Sequence, residues 1–184
     1  MNLVELREKD LETRDLLALS TSLRDIVSGR GRLVVNGRAD VAFASRADGV
    51  HLPADGLPPT GARQALGPDA LVGLSVHSVD EVAASASEPI DYLMLGTIFP
   101  SPSHPGGQLT GLEGVRRAAG LPIPMVGVGG ITAENAVDII EAGAQGVAVI
   151  SAIFSASDPR EAAHRLSDAV REAWTRRTVA VDAG

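Results

Sequence analysis

The sequence predicts an α/β fold: a parallel sheet of the (β/α)8 barrel type, with one strand–helix unit fewer than eight. Three observations carry this. Seven short apolar runs alternate with longer helix-periodic stretches. The repeat from run to run is about 20–25 residues, which suits a barrel better than a doubly wound sheet. Aromatic residues make up only 3% against 45% hydrophobic residues, so Val, Leu, Ile and Ala must fill a core whose strands are buried on both faces.

The elements follow in order. NLVEL (2–6) is the first strand, and LETRDLLALSTSLRDIV (11–27) carries a helical apolar stripe. RLVVN (32–36) is followed by a helical stretch around VAFASR (41–46), and DGVHL (48–52) by TGARQAL (60–66). LVGLSV (71–76) leads into SVDEVAASA (78–86), where Ser78 and Glu81 form a capping-box pattern. DYLMLG (91–96) precedes GLEGVRRAA (111–119). IPMVGVGG (123–130) precedes TAENAVDIIEAG (132–143), with Thr132, followed by Asn135, as its expected N-cap and Gly143 as its C′ residue. GVAVIS (146–151) is the last strand, and DPREAAHRLSDAVREAWTRR (158–177) the last helix. Residues 1–177 read as a single domain. TVAVD (178–182) alternates apolar residues, so residues 178–184 are either a tail or a strand that closes the barrel.

Bulk properties narrow the function. At 184 residues the chain suits one domain, and a net charge of −7 argues against nucleic acid or an anionic membrane as partner. The absence of cysteine excludes disulfides and thiolate metal sites. No apolar run reaches the ~20 residues of a membrane span, and MNLVELREKD has no signal-peptide pattern. These properties predict a soluble cytoplasmic protein. An open sheet edge would favour a homo-oligomer.

In such a barrel, chemistry belongs to the loops after the strands. Arg7 and Lys9 follow the first strand on one side, two cations at the mouth. Asn36-Gly37 after the second reads equally as a turn. Gly129 and Gly130, between a strand and a helix, allow backbone N–H groups to approach an anion, and Ser151 follows the next strand. Ser101 and Ser103, in LGTIFPSPSHPGG (95–107), supply hydroxyls that the surrounding prolines hold in place. Together these residues predict a phosphate cradle. Among the histidines, His104 and His77 lie on the rim, His51 reads as a core or rim residue within a strand, and His164 as surface.

The segments VELREKDL, VVNGRADVA, DGVHLPADGLP, GLSVHS, DYLMLGTIFPSPSHPG, VGVGGITAENA and AGAQGVAVISAIF together resemble the thiamine phosphate synthase/TenI family, the resemblance running from about residue 3 to 156. The resemblance implies a TIM barrel that handles a thiazole phosphate in thiamine biosynthesis, beginning one strand and helix before the segment LREKD. Synthases of the family join a hydroxymethylpyrimidine diphosphate to the thiazole phosphate with Mg²⁺. TenI-type relatives are metal-independent thiazole tautomerases. By motif, Ser101, Ser103, Gly130, Ile150 and Ser151 match the thiazole-phosphate pocket, and Arg7, Lys9 and Asn36 match diphosphate-binding positions.

Departures from the motif weigh between the branches. The synthase pattern places Mg²⁺-binding aspartates where this chain has Gly37 and Gly56, with Asp55 one place early. A diphosphate-contacting lysine is replaced by His104. The leading expectation is therefore a metal-independent thiazole tautomerase without cofactor, Mg²⁺ entering only if the chain is a synthase. Thr97 stands where TenI-type enzymes can carry an acid/base histidine, so His104 or His77 would relay the proton, with Arg7, Lys9 or Asn36 holding the substrate. A thiamine phosphate synthase is the alternative, and a non-catalytic binder of the phosphorylated thiazole or thiamine a third reading.

Overall fold

In the computed structural model, residues 2–101 and 108–182 are described. The chain divides into two compact units, Met1–Ser75 with Ser87–Tyr92, and Val76–Ala86 with Leu93–Gly184. Seven strands are present among the described residues, as the sequence predicts, and their order in the sheet is their order in the chain.

The first unit holds β1 (Leu3–Leu6), α1 (Thr13–Val27), β2 (Arg32–Asn36), α2 (Ala39–Ser45), β3 (Gly49–Leu52), α3 (Pro59–Leu66) and most of β4 (Leu71–Val76). Its strands pair in parallel, Leu6 with Val35, Val35 with Val50 and Val50 with Val72. Leu33, Val34 and Val35 are fully buried in succession, the pattern of a parallel strand covered on both faces, with no wet side for polar alternation. Leu6, Leu16, Leu33, Val35, Val41 and Ala42 form one core cluster, and Ala39, Val50, Leu52, Ala62 and Val72 another. Each larger side chain among them contributes about 1.5–3 kcal/mol by leaving water. Where α1 meets α2, buried Ser20 donates to Ser45 Oγ at 2.8 Å, and Ser45 donates to the Val41 carbonyl at 2.8 Å, so neither hydroxyl is stranded.

The second unit holds α4 (Val79–Ala84), β5 (Tyr92–Leu95) from Leu93 onward, α5 (Gly111–Ala119), β6 (Met125–Val128), α6 (Ala136–Glu141), β7 (Gly146–Ala148), α7 (Ser151–Phe154) and α8 (Pro159–Asp182). Leu93, Leu95, Met125, Ile139 and Ile140 are its largest core side chains in these elements. Ser78 caps α4 as predicted, accepting the Glu81 N–H at 3.2 Å. The Glu81 carboxylate reaches back to the His77 N–H at 2.8 Å, one residue before the cap.

Two expectations are corrected. The helix expected from Thr132 begins only at Ala136, because the Asn135 side chain takes the Thr132 N–H into a loop instead. TVAVD is not a closing strand but the end of α8. No Gly or Pro follows Pro159 in that helix, and Arg177 ties it to the Ile140 and Ala144 carbonyls at 3.3 and 3.1 Å. A helix so anchored runs on through a short β-branched stretch, whose propensity penalty is only a few tenths of a kcal/mol per residue.

Candidate functional site

In the second unit, β5, β6 and β7 lie side by side, Leu95 beside Gly127 and Val128 beside Ala148. The segments that follow them therefore leave the sheet as neighbours. Residues after β5 stay bound to those after β6: the Ile98 N–H donates to Val128 at 3.0 Å and the Phe99 N–H to Gly129 at 3.1 Å. Gly129 (φ 101°) and Gly130 (φ 63°) occupy the left-handed region. A Cβ on Gly129 would lie 2.6 Å from Thr97 Cγ2, and one on Gly130 would lie 2.5 Å from the Pro100 carbonyl oxygen. Only glycine fits either place.

Thr97, Gly129 and Gly130 are thus brought together, with Ser101 immediately beyond Pro100. Ile150 and Ser151 stand exposed where β7 passes into α7. Ser103 and His104 lie outside the described residues. Asn135, read from the sequence only as part of a helix start, turns its side chain back to the Gly130 carbonyl at 3.0 Å. An Asn five residues after the second glycine of the pair is the only signal the sequence carries for it.

His77 is exposed, and its Nδ1 lies 3.0 Å from the Gly96 carbonyl. A carbonyl only accepts, so Nδ1 carries the proton and Nε2 is the basic nitrogen of the neutral ring. Thr110 links this point to Thr97: its hydroxyl donates to the His77 carbonyl at 3.3 Å and its N–H to the Thr97 carbonyl at 2.9 Å.

In the first unit, Arg7 and Lys9 are exposed after β1, and neither makes a hydrogen bond or ion pair among the described residues. Asn36 donates to Glu5 Oε1 at 2.7 Å. Its register partner in β3, His51, is 1% exposed, with Nδ1 3.1 Å from the Tyr92 hydroxyl and Nε2 2.8 Å from Ser75 Oγ. Gly73 leaves the room: a Cβ there would collide with the Tyr92 ring. Burial lowers the His51 pKa, against the smaller opposing pull of Glu5, and raises that of Tyr92, so both stay uncharged at neutral pH. His51 is a core histidine, as expected, and His164 is a surface one.

The residues present do not fit the family's way of holding Mg²⁺. Gly37 and Gly56 offer no carboxylate, and Asp55 is exposed in the turn that the Gly56 N–H closes onto the Pro53 carbonyl at 3.0 Å. Among the described residues no three acidic or histidine side chains are grouped to hold a metal ion. Among them, too, no helix is long and apolar enough to cross a membrane.

A family model described as thiamine monophosphate synthase matches residues 1–153. The thiamine-phosphate synthase of Albidiferax ferrireducens is 46% identical over 168 residues, covering 89% of this chain and 76% of that protein. That of Moorella thermoacetica is 42% identical over 173 residues, covering 92% and 82%. The solved thiamine phosphate pyrophosphorylase from Pyrococcus furiosus superposes with a TM-score of 0.86 at 33% identity, covering 94% of this chain and 84% of that one. The fold is accordingly that of the TIM-type barrels of these synthases, represented here by seven parallel strands. The expectation of a thiazole tautomerase is overturned: relatives at this level of identity carry the synthase name. Gly37 and Gly56 had weighed too heavily, since loss of two carboxylates at one rim says nothing of what the rest of the chain resembles.

Proposed function

The chain belongs to the thiamine monophosphate synthase family, and on that premise we propose that it is a thiamine-phosphate synthase, joining hydroxymethylpyrimidine diphosphate to a thiazole phosphate with release of diphosphate. The observation that carries this reading is the 46% identity to a synthase of that name across 89% of the chain.

The chemistry shifts weight among the residues. A carbon–nitrogen bond forms as the carbon–oxygen bond to diphosphate breaks, so negative charge develops on the leaving group. Such a step needs fixed cations and hydrogen-bond donors more than a proton shuttle. On the chain's side we assign this work to Arg7 and Lys9, whose charges no described partner neutralises. Asn36, at the end of β2, joins them with one amide hydrogen committed to Glu5. His77 and His104 lose the proton-relay role; His77 serves instead to tie the start of α4 to the strand end before Thr97.

The thiazole phosphate is assigned to the second unit. Gly129 and Gly130 supply close-lying backbone, while Ser101, Ser103 and Ser151 supply hydroxyls and Ile150 an apolar wall. Incubating the protein with both substrates, with and without Mg²⁺, and measuring thiamine phosphate tests this directly. Product formed only when both substrates are present supports the reading, and none from folded protein that binds both rejects it.

A further inference from the structure

We infer that Asn135 is a positioning residue for the phosphate site, holding the loop after β6 so that two successive backbone N–H groups face the ligand. The inference rests on the thiazole-phosphate assignment made above.

The geometry is that of a planar amide bridging a loop. Asn135 Oδ1 accepts the Thr132 N–H at 2.9 Å, and Nδ2 donates to the Gly130 carbonyl at 3.0 Å. The Gly129 carbonyl is separately held by the Phe99 N–H at 3.1 Å. In a trans peptide the carbonyl and the N–H of the next residue point in opposite directions. Tying back the Gly129 and Gly130 carbonyls therefore turns the N–H groups of Gly130 and Ile131 the other way. Among the described residues neither N–H has a hydrogen-bond partner. A pair of consecutive N–H groups so presented is an anion-binding concavity.

The expected source of that donor geometry, a helix starting at Thr132, is absent, since α6 begins at Ala136 and has only six residues. Asn135 takes over the work of fixing the loop. Its amide is the only group on Asn that can both donate and accept at this spacing, so Asp cannot replace it: a carboxylate would put an oxygen against the Gly130 oxygen.

The test uses amide NMR on isotope-labelled protein titrated with thiazole phosphate and with the same thiazole lacking phosphate. In the unsubstituted protein the Gly130 and Ile131 amide resonances should shift with the phosphorylated ligand. In Asn135→Ala and Asn135→Asp those two shifts should vanish and affinity for thiazole phosphate fall about tenfold, two hydrogen bonds being lost. Affinity for the unphosphorylated thiazole should not change, which a merely structural role would not predict. Shifts that persist in both variants, or equal loss for both ligands, overturn the role of Asn135. No shift at Gly130 or Ile131 even in the unsubstituted protein overturns the phosphate assignment and the inference together.

Discussion

Asp91 and Val72 grip each other twice: the Asp91 N–H donates to the Val72 carbonyl at 2.8 Å, and the Val72 N–H donates to Asp91 Oδ2 at 2.7 Å. The same clasp recurs between Asp48 and Leu33, at 2.8 and 2.7 Å. Gln145 and Met125 repeat it in the other unit, at 2.8 and 2.7 Å. In each case the residue just before one strand closes an N–H within the first two residues of its neighbour, at the amino ends of the strands. Arg63 braces Asp91 further, at 2.9 Å. Asp91→Ala strands the Val72 N–H and releases Arg63, so unfolding free energy should fall by about 1–3 kcal/mol. Denaturant titration reads that loss, and thiazole-phosphate affinity should stay unchanged.

His51 predicts an acid-sensitive fold. Its pKa is lowered by burial, so the unfolded chain binds the proton more readily than the folded one. The stability contribution is fully present above the unfolded value of about 6.5. It is lost as pH falls from there through the lower folded value. Melting temperature followed from pH 7.5 downward should drop in that window, and His51→Gln should flatten the drop. An equal slope in both proteins would assign the acid sensitivity to other groups.

How much of this was legible in the sequence differs by element. RLVVN and LVGLSV were bounded correctly because an unbroken apolar run between polar turns has few alternatives. TVAVD was ambiguous because its alternation fits a strand, while the anchor that keeps it helical, Arg177 on the end of α6, is a contact between segments far apart in the chain. The left-handed turn at Gly129 and Gly130 is legible from the residue type and its place between a strand and a helix. The tie from Asn135 to the Gly130 carbonyl is not, since Asn135 satisfies a helix-start pattern equally well. Gly37 and Gly56 point locally away from the synthases, whereas the synthase likeness extends along nearly the whole chain.

Gly130 should tolerate no side chain. Gly130→Ala forces a residue at φ 63° against the Pro100 oxygen. The conformation alone costs about 1–2 kcal/mol, and the clash must move the β5 loop as well. Thiazole-phosphate affinity should fall with stability. Ser151→Asp separates the two effects: its exposed position should leave the melting temperature unchanged, while like-charge repulsion lowers affinity about 100-fold. Calorimetric titration and melting curves on the two variants read this contrast.

The missing carboxylates can be put back one at a time. At Gly37 a Cβ would lie 3.7 Å from Pro53 Cδ, an ordinary contact, and its φ of 65° is one that Asp tolerates at modest cost. At Gly56 a Cβ would lie 2.8 Å from Pro53 Cγ, so that ring must shift. Gly37→Asp should therefore fold nearly as well as the parent, and Gly56→Asp less well. The double variant should gain a Mn²⁺ site visible by electron paramagnetic resonance that the unsubstituted protein lacks. Equal Mn²⁺ binding by both would place the metal ligands elsewhere in the chain.

The most direct measurement of the central claim is a single reaction followed by proton and phosphorus NMR together, with thiazole phosphate, pyrimidine diphosphate and the purified protein. One thiamine phosphate should form for each diphosphate released, with turnover reduced by Lys9→Ala and, below saturating thiazole phosphate, reduced further by Ser151→Asp. Protein that binds both substrates yet releases no diphosphate would contradict it.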